Sequence, residues 1–203
     1  MAAFFSGCRC LHLSFNLESF LNLSELKSDV LFMHEKHGWA TYTPMARMMR
    51  VMGELGEVAD EVKNFVHSPE CASEEALLFE VYDLAWNLGS LAQLLGIRLT
   101  EFSVGGPLSM PRSIGALDGL VTRHLSATFA LGRVAVLLGV YEAAGAKAVQ
   151  SKSASHILDA FGALTQALQS ALELVCGIPG LSSTVVDGYF AKKGAFNRAR
   201  TWS

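Results

Sequence analysis

Two pairs of acids stand three residues apart in this chain: Glu54 with Glu57, and Glu80 with Asp83. Residues at i and i+3 share a helix face. On two helices joined by a short turn, four carboxylates can therefore point into one space. Their neighbours are apolar: Met52, Leu55, Val58 and Val62 around the first pair, Leu77, Leu78, Val81, Leu84 and Leu88 around the second. Acids set among apolar positions are costly unless paired or bound to a cation. An all-oxygen donor set suits a hard cation, Mg²⁺ or Mn²⁺, rather than zinc. Four carboxylates are too many for one hydrated magnesium but fit two ions holding a polyphosphate. Gly53 and Gly56 flank the first pair. A glycine inside a helix costs about 1 kcal/mol relative to alanine, which makes sense where backbone or ligand comes close. The plain alternative is a solvated acidic stripe. Against it, Asp60, Glu61 and Lys63 already give that helix a polar side.

The elements that must position these acids read as helices. Ser24 to His37 is a short amphipathic segment stopped by Gly38. Thr43-Pro44 is a helix start, an N-cap hydroxyl followed by proline at the first helical position, and the helix runs to about Val66. Ser73 caps the next, with Glu74 and Glu75 in its first turn, and it runs to Leu95. A loop containing Gly105, Gly106, Pro107 and Pro111 follows. Two long helical patterns cover 117–149 and 153–175, and a more basic helix covers Ser182 to Arg200. Strand alternation is scarce. The expected fold is all-α, an antiparallel helical bundle.

A weak internal repeat aligns Met52-Gly53-x-Leu55 with Leu131-Gly132-x-Val134, and Leu91–Ile97 with Leu172–Ile178. In that register Arg133, Val136, Phe161 and Leu164 replace Glu54, Glu57, Glu80 and Asp83. One half would carry the chemistry and the other the scaffold. The expected organisation is an extension over 1–22, then one all-α domain over 23–203. Within it lie the acid-bearing hairpin 43–97, a diverged second half 115–178 and the basic helix 182–200.

Composition limits the function. Of 203 residues 51% are hydrophobic and 17% are charged, against roughly 25% charged in an average domain. Surplus apolar surface predicts a homodimer or another even-numbered homo-oligomer. A net charge of −3 argues against a basic face for a nucleic-acid polymer. No window reaches the roughly 18 apolar residues of a membrane span. Cys8, Cys10, Cys71 and Cys176 are irregularly spaced and read as reduced thiols, so the expected compartment is the cytoplasm. Cys8-x-Cys10-x-His12 fits no zinc spacing. His34 and His37 straddle a helix end and read as surface residues. Met45, Met48, Met49 and Met52 read as core filling.

The sequence Glu54-x-x-Glu57, a spacer, then Glu80-x-x-Asp83 resembles the ExxE…ExxD signature of the MazG-like, all-α nucleotide pyrophosphohydrolases. These include dCTP pyrophosphatases, dimeric dUTPases and phosphoribosyl-ATP pyrophosphohydrolases. Gly53-Glu54-Leu55-Gly56-Glu57 looks like the GExGE form of dCTP-pyrophosphatase-type members, and Trp39 and Pro44 stand about where those members carry a tryptophan and a proline. Lys193-x-x-x-Asn197-x-x-Arg200 resembles the tail that members use on nucleotide phosphates. About 100 residues separate this tail from the acids, against a short spacing in typical members. That leaves open whether it serves its own acids or a partner's.

The resemblance implies hydrolysis of a nucleoside triphosphate to monophosphate and pyrophosphate, in house-cleaning of non-standard or surplus dNTPs. Glu54, Glu57, Glu80 and Asp83 would hold Mg²⁺, which neutralises phosphate oxygens and acidifies a bound water. Glu54 or Glu57 would double as general base. Lys193, Asn197 and Arg200, at i, i+4 and i+7, present one donor-only face suited to phosphate; the plain alternative is a solvated basic tail. Trp39, Tyr82, Trp86 and Asn87 are candidates to bind the base. Trp86 and Asn87 lie within a turn of Asp83, although Trp86 alone reads as core. Two other readings stand beside this one: a non-catalytic helical scaffold, disfavoured because all four acids are present, and phosphoribosyl-ATP hydrolysis.

Overall fold

The computed structural model describes residues 23–95, 121–122, 124–136, 138–139 and 183–200. These form an all-α bundle, with no strand among the described residues. Helix α1 is Leu23–His37, followed by a 3₁₀ turn at Trp39–Thr41. Helices α2 and α3 are Pro44–His67 and Glu74–Leu94. The described part of 121–139 is helical and is denoted α4. Helix α5 is Ser183–Ala199, in the place expected for the basic helix.

Local chemistry sets the boundaries. Gly38 adopts φ 67°, a left-handed conformation that ends α1 with little steric cost. The Thr43 hydroxyl accepts from the Ala46 N–H at 3.1 Å and the Ser73 hydroxyl from the Ala76 N–H at 3.2 Å, each satisfying an otherwise orphaned amide of the first turn. The short link Ser68–Ser73 folds α3 back along α2, and this is the principal packing in the bundle.

Helix α3 is the central rod and packs against α1, α2 and α5. From Leu84 to Ala92 every residue on it is buried. Helix α2 lays Met48, Val51, Leu55, Val58 and Val62 against it, and Leu26, Val30 and Met33 of α1 close another side. Ala127, Ala130, Leu131, Val134 and Leu138 bring α4 into the same core. No helix among the described residues is long and apolar enough to cross a membrane.

Several side chains differ from the sequence reading. His34 is buried, its Nε2 2.6 Å from the Ser90 hydroxyl. Burial, and secondly the Arg47 charge, lowers its pKa. His37 is half-buried and stacks on Trp39 at 5.0 Å. Of the methionine cluster Met48 fills the core, whereas Met49 is 69% exposed and Met52 40% exposed, because they lie off the α3-facing stripe. In the repeat register, Arg133 and Val136 are exposed. Phe161, Leu164, the helix at 153–175, the 1–22 extension and the Cys8–His12 motif lie outside the described residues, as does most of 115–178.

Candidate functional site

Helices α2 and α3 bring the first three acids together. One carboxylate oxygen from each of Glu54, Glu57 and Glu80 lies within 4.8 Å of the others. Leu55, Val58 and Val81 beside them face the core, so the acids stand at the rim of the α2–α3 interface, Glu54 and Glu80 half-buried and Glu57 exposed. Crowding and burial change their chemistry. Glu54 is pushed up to about 7, first by burial and then by repulsion from Asp83, Glu57 and Glu80, with Lys193 pulling the other way. Glu80 is also pushed up to about 7 by burial, opposed by Lys193 and reinforced by a hydrogen bond with Glu57. Burial and crowding make the charged forms of Glu54 and Glu80 costly, a cost that a bound divalent cation would offset. The donor set is all oxygen, as Mg²⁺ or Mn²⁺ requires, so these residues fit the ion.

Asp83 is held differently. Its Oδ2 pairs with Lys193 Nζ at 2.8 Å, and its Oδ1 accepts from Asn197 Nδ2 at 2.9 Å. Two of the three tail residues singled out from sequence thus meet the fourth acid, and they do so within one chain. Arg200 follows the last turn of α5 and is exposed, outside the lining of the adjoining cleft.

A latch of side chains fixes α5 in this register. Asp29 of α1 is buried; it accepts from the Tyr82 hydroxyl at 2.7 Å and pairs with Arg198. Lys36 Nζ donates to the Arg198 carbonyl at 2.8 Å, and Lys192 pairs with Glu75. Gly194 permits the close approach: a Cβ there would lie 2.7 Å from Asp29 Oδ2 and 2.8 Å from the Tyr82 hydroxyl. Tyr82 therefore serves the latch instead of binding a base, and burial raises its pKa.

Beside the acids opens a small cleft of about 100 Å³. Trp39, Tyr42 and Trp86 supply its aromatic wall; Glu54, Asp83 and Asn197 lie at its polar end. The Trp39 and Trp86 rings meet edge to face at 5.6 Å. Asn87 lines the cleft, but its amide is already committed. Its Oδ1 accepts from Arg47 Nη1 at 3.0 Å, and its Nδ2 donates to Glu54 Oε1 at 3.1 Å and to the Asp83 carbonyl at 3.0 Å. Asn87 orients Glu54, and the role expected for it, direct contact with a base, does not follow from this geometry.

Arg47 was not singled out from the sequence. It is 5% exposed, and burial lowers its pKa. The signal was its register: Arg47, Val51, Leu55, Val58 and Val62 follow the 3–4 spacing of the buried stripe. Asp29 gave the same signal on α1, one residue before Val30 and four before Met33.

Comparison of this chain with protein-family models, with curated proteins and with solved structures gives no significant match.

Proposed function

We propose that this chain is a Mg²⁺-dependent nucleoside triphosphate pyrophosphohydrolase, releasing pyrophosphate and a nucleoside monophosphate. One observation carries the reading: three carboxylates converge within 4.8 Å, and a lysine and an asparagine arrive beside them on the fourth acid. The resemblance of Glu54-x-x-Glu57…Glu80-x-x-Asp83 and Lys193-x-x-x-Asn197 to the MazG-like signature points the same way.

Glu54, Glu57 and Glu80 would hold the ion, with Asp83 at their side. Mg²⁺ supplies charge neutralisation at the phosphate oxygens and an acidified water. Lys193 and Asn197 offer donors to the phosphates from the α5 face. Asn87 occupies Glu54 Oε1, which leaves Oε2 to take a proton; Glu54 or Glu57 acts as general base. The cleft walled by Trp39 and Trp86 holds the base. Leu125, Phe129 and Val136 form an exposed apolar row on α4, which supports a homodimer or an even-numbered homo-oligomer.

The test is pyrophosphate release from a panel of dNTPs with and without Mg²⁺, with Glu57→Gln as control. Metal-dependent turnover that the variant loses is expected. Absence of turnover on every nucleotide overturns the reading and leaves a helical scaffold.

A further inference from the structure

Arg47, which borders the cleft, carries an unused pair of donors just behind its surface. Arg47 sits with its guanidinium carbon 5.6 Å from the Trp39 ring, 5.2 Å from Tyr42 and 5.5 Å from Trp86. Nη1 donates to Asn87. Nε and Nη2 are closed from solvent and have no hydrogen-bond partner. These two N–H groups form one edge of the guanidinium, opposite Nη1. They point in parallel, the geometry that grips two neighbouring acceptors at once. The aromatic rings offset part of the cost of burying the charge, but they give the N–H pair no acceptor, and a buried unpaired donor is unfavourable. Asn87 already commits both Nδ2 hydrogens and accepts from Arg47 Nη1, so the uncommitted polar edge of Arg47 itself is a pair of donors. Flat rings next to a two-donor edge suit a planar heterocycle that carries two adjacent acceptors.

We infer that the Nε–Nη2 edge of Arg47 reads the nucleobase, and that the cleft selects a base with two acceptors side by side. Guanine has such a pair in O6 and N7, and cytosine in O2 and N3. Adenine places an amino donor beside N7, and thymine and uracil place N3–H between their carbonyls. Because the edge is covered, the base would enter as a ring shifts, and Tyr42 is the exposed ring of the three, at 46%. The triphosphate part of this assignment rests on the hydrolase reading above, whereas the base preference rests on Arg47 alone.

The experiment compares kcat/KM for dCTP, dGTP, dATP and dTTP, and in parallel the direct binding of the four corresponding monophosphates. The wild-type protein should favour dCTP or dGTP over dATP and dTTP by about tenfold or more, mainly through KM, and Arg47→Lys, which keeps the charge but loses the fork, should erase that ratio. Two analogues test the point on the unmodified protein: 7-deaza-dGTP and 3-deaza-dCTP each lack one acceptor of the pair, and the one matching the preferred base should bind about tenfold more weakly. Equal use of all four bases overturns the inference, as does a preference that survives Arg47→Lys or the matching deaza substitution. If no triphosphate is hydrolysed but the monophosphates bind with a preference that Arg47→Lys abolishes, the hydrolase reading fails and this subsite stands.

Discussion

Glu54 and Glu80 each hold a proton up to about pH 7 in the folded protein, against an ordinary 4.5. The sign of the stability effect follows. The folded state binds more protons than the unfolded state between those values, so stability falls as pH rises through that window and levels off above it. The metal-free protein should melt highest near pH 4.5–5 and lose melting temperature towards pH 7.5, as a thermal scan over pH would show. Glu80→Gln should flatten that slope. In the presence of Mg²⁺ the same variant should lower pyrophosphate release by about 100-fold or more. Equal activity would remove Glu80 from the site. The acids were legible in the sequence because i, i+3 spacing on an amphipathic helix fixes direction without knowledge of the partner helix. Arg47 and Asp29 were harder. Each occupies an apolar register position, but only the fold reveals what makes burial tolerable: three rings and an amide for Arg47, a tyrosine and an arginine for Asp29. Asn87 was found for its place, while its role depended on partners 33 and 40 positions away.

Helix α5 depends on contacts that sequence periodicity does not encode. The i, i+4 spacing put Lys193 and Asn197 on one face, as observed, but the choice of Asp83 as their target comes from the latch through Asp29, Tyr82 and Arg198. Gly194→Ala should show the dependence. Its methyl would meet two oxygens under 3 Å away, which must be relieved by displacing α5. The expected cost is about 1–3 kcal/mol, read as a drop in denaturation midpoint, together with a raised KM for the triphosphate as Lys193 and Asn197 move. Unchanged stability and KM would show that α5 does not need this register. The helices themselves were easier to read. Thr43-Pro44, Ser73 and Gly38 are terminators whose chemistry is local, and the observed ends fall within a residue or two of the expected ones. The 3₁₀ turn at Trp39–Thr41 had no such marker; it is closed by backbone hydrogen bonds from Thr41 and Tyr42 to Gly38 and Trp39, with the Thr41 hydroxyl adding a third bond, to the Gly38 carbonyl.

In the molecule as a whole, the clustered acids and the apolar row on α4 give two measurable expectations. Mg²⁺ at about 100 times its Kd should stabilise the protein by about 2.7 kcal/mol, and EDTA should reverse this; no change in melting temperature would argue against a metal site. Phe129 is 68% exposed. Phe129→Glu should shift the mass measured by light scattering from an even-numbered oligomer to the monomer, whereas a wild-type monomer would show that the row has no partner copy.

The pairing of Asp83 with Asn197 spans 114 positions. On the ribosome, at 5–20 residues per second, roughly 6 to 23 s separate the making of these two residues. Throughout that interval the nascent hairpin carries its acids with no tail to meet them. Premature termination before Ser183 would yield a polypeptide that retains the carboxylates yet lacks the helix that faces them. Synthesis of α5 thus completes the constellation, and a product cut short before it would lack the Lys193 and Asn197 contacts to Asp83.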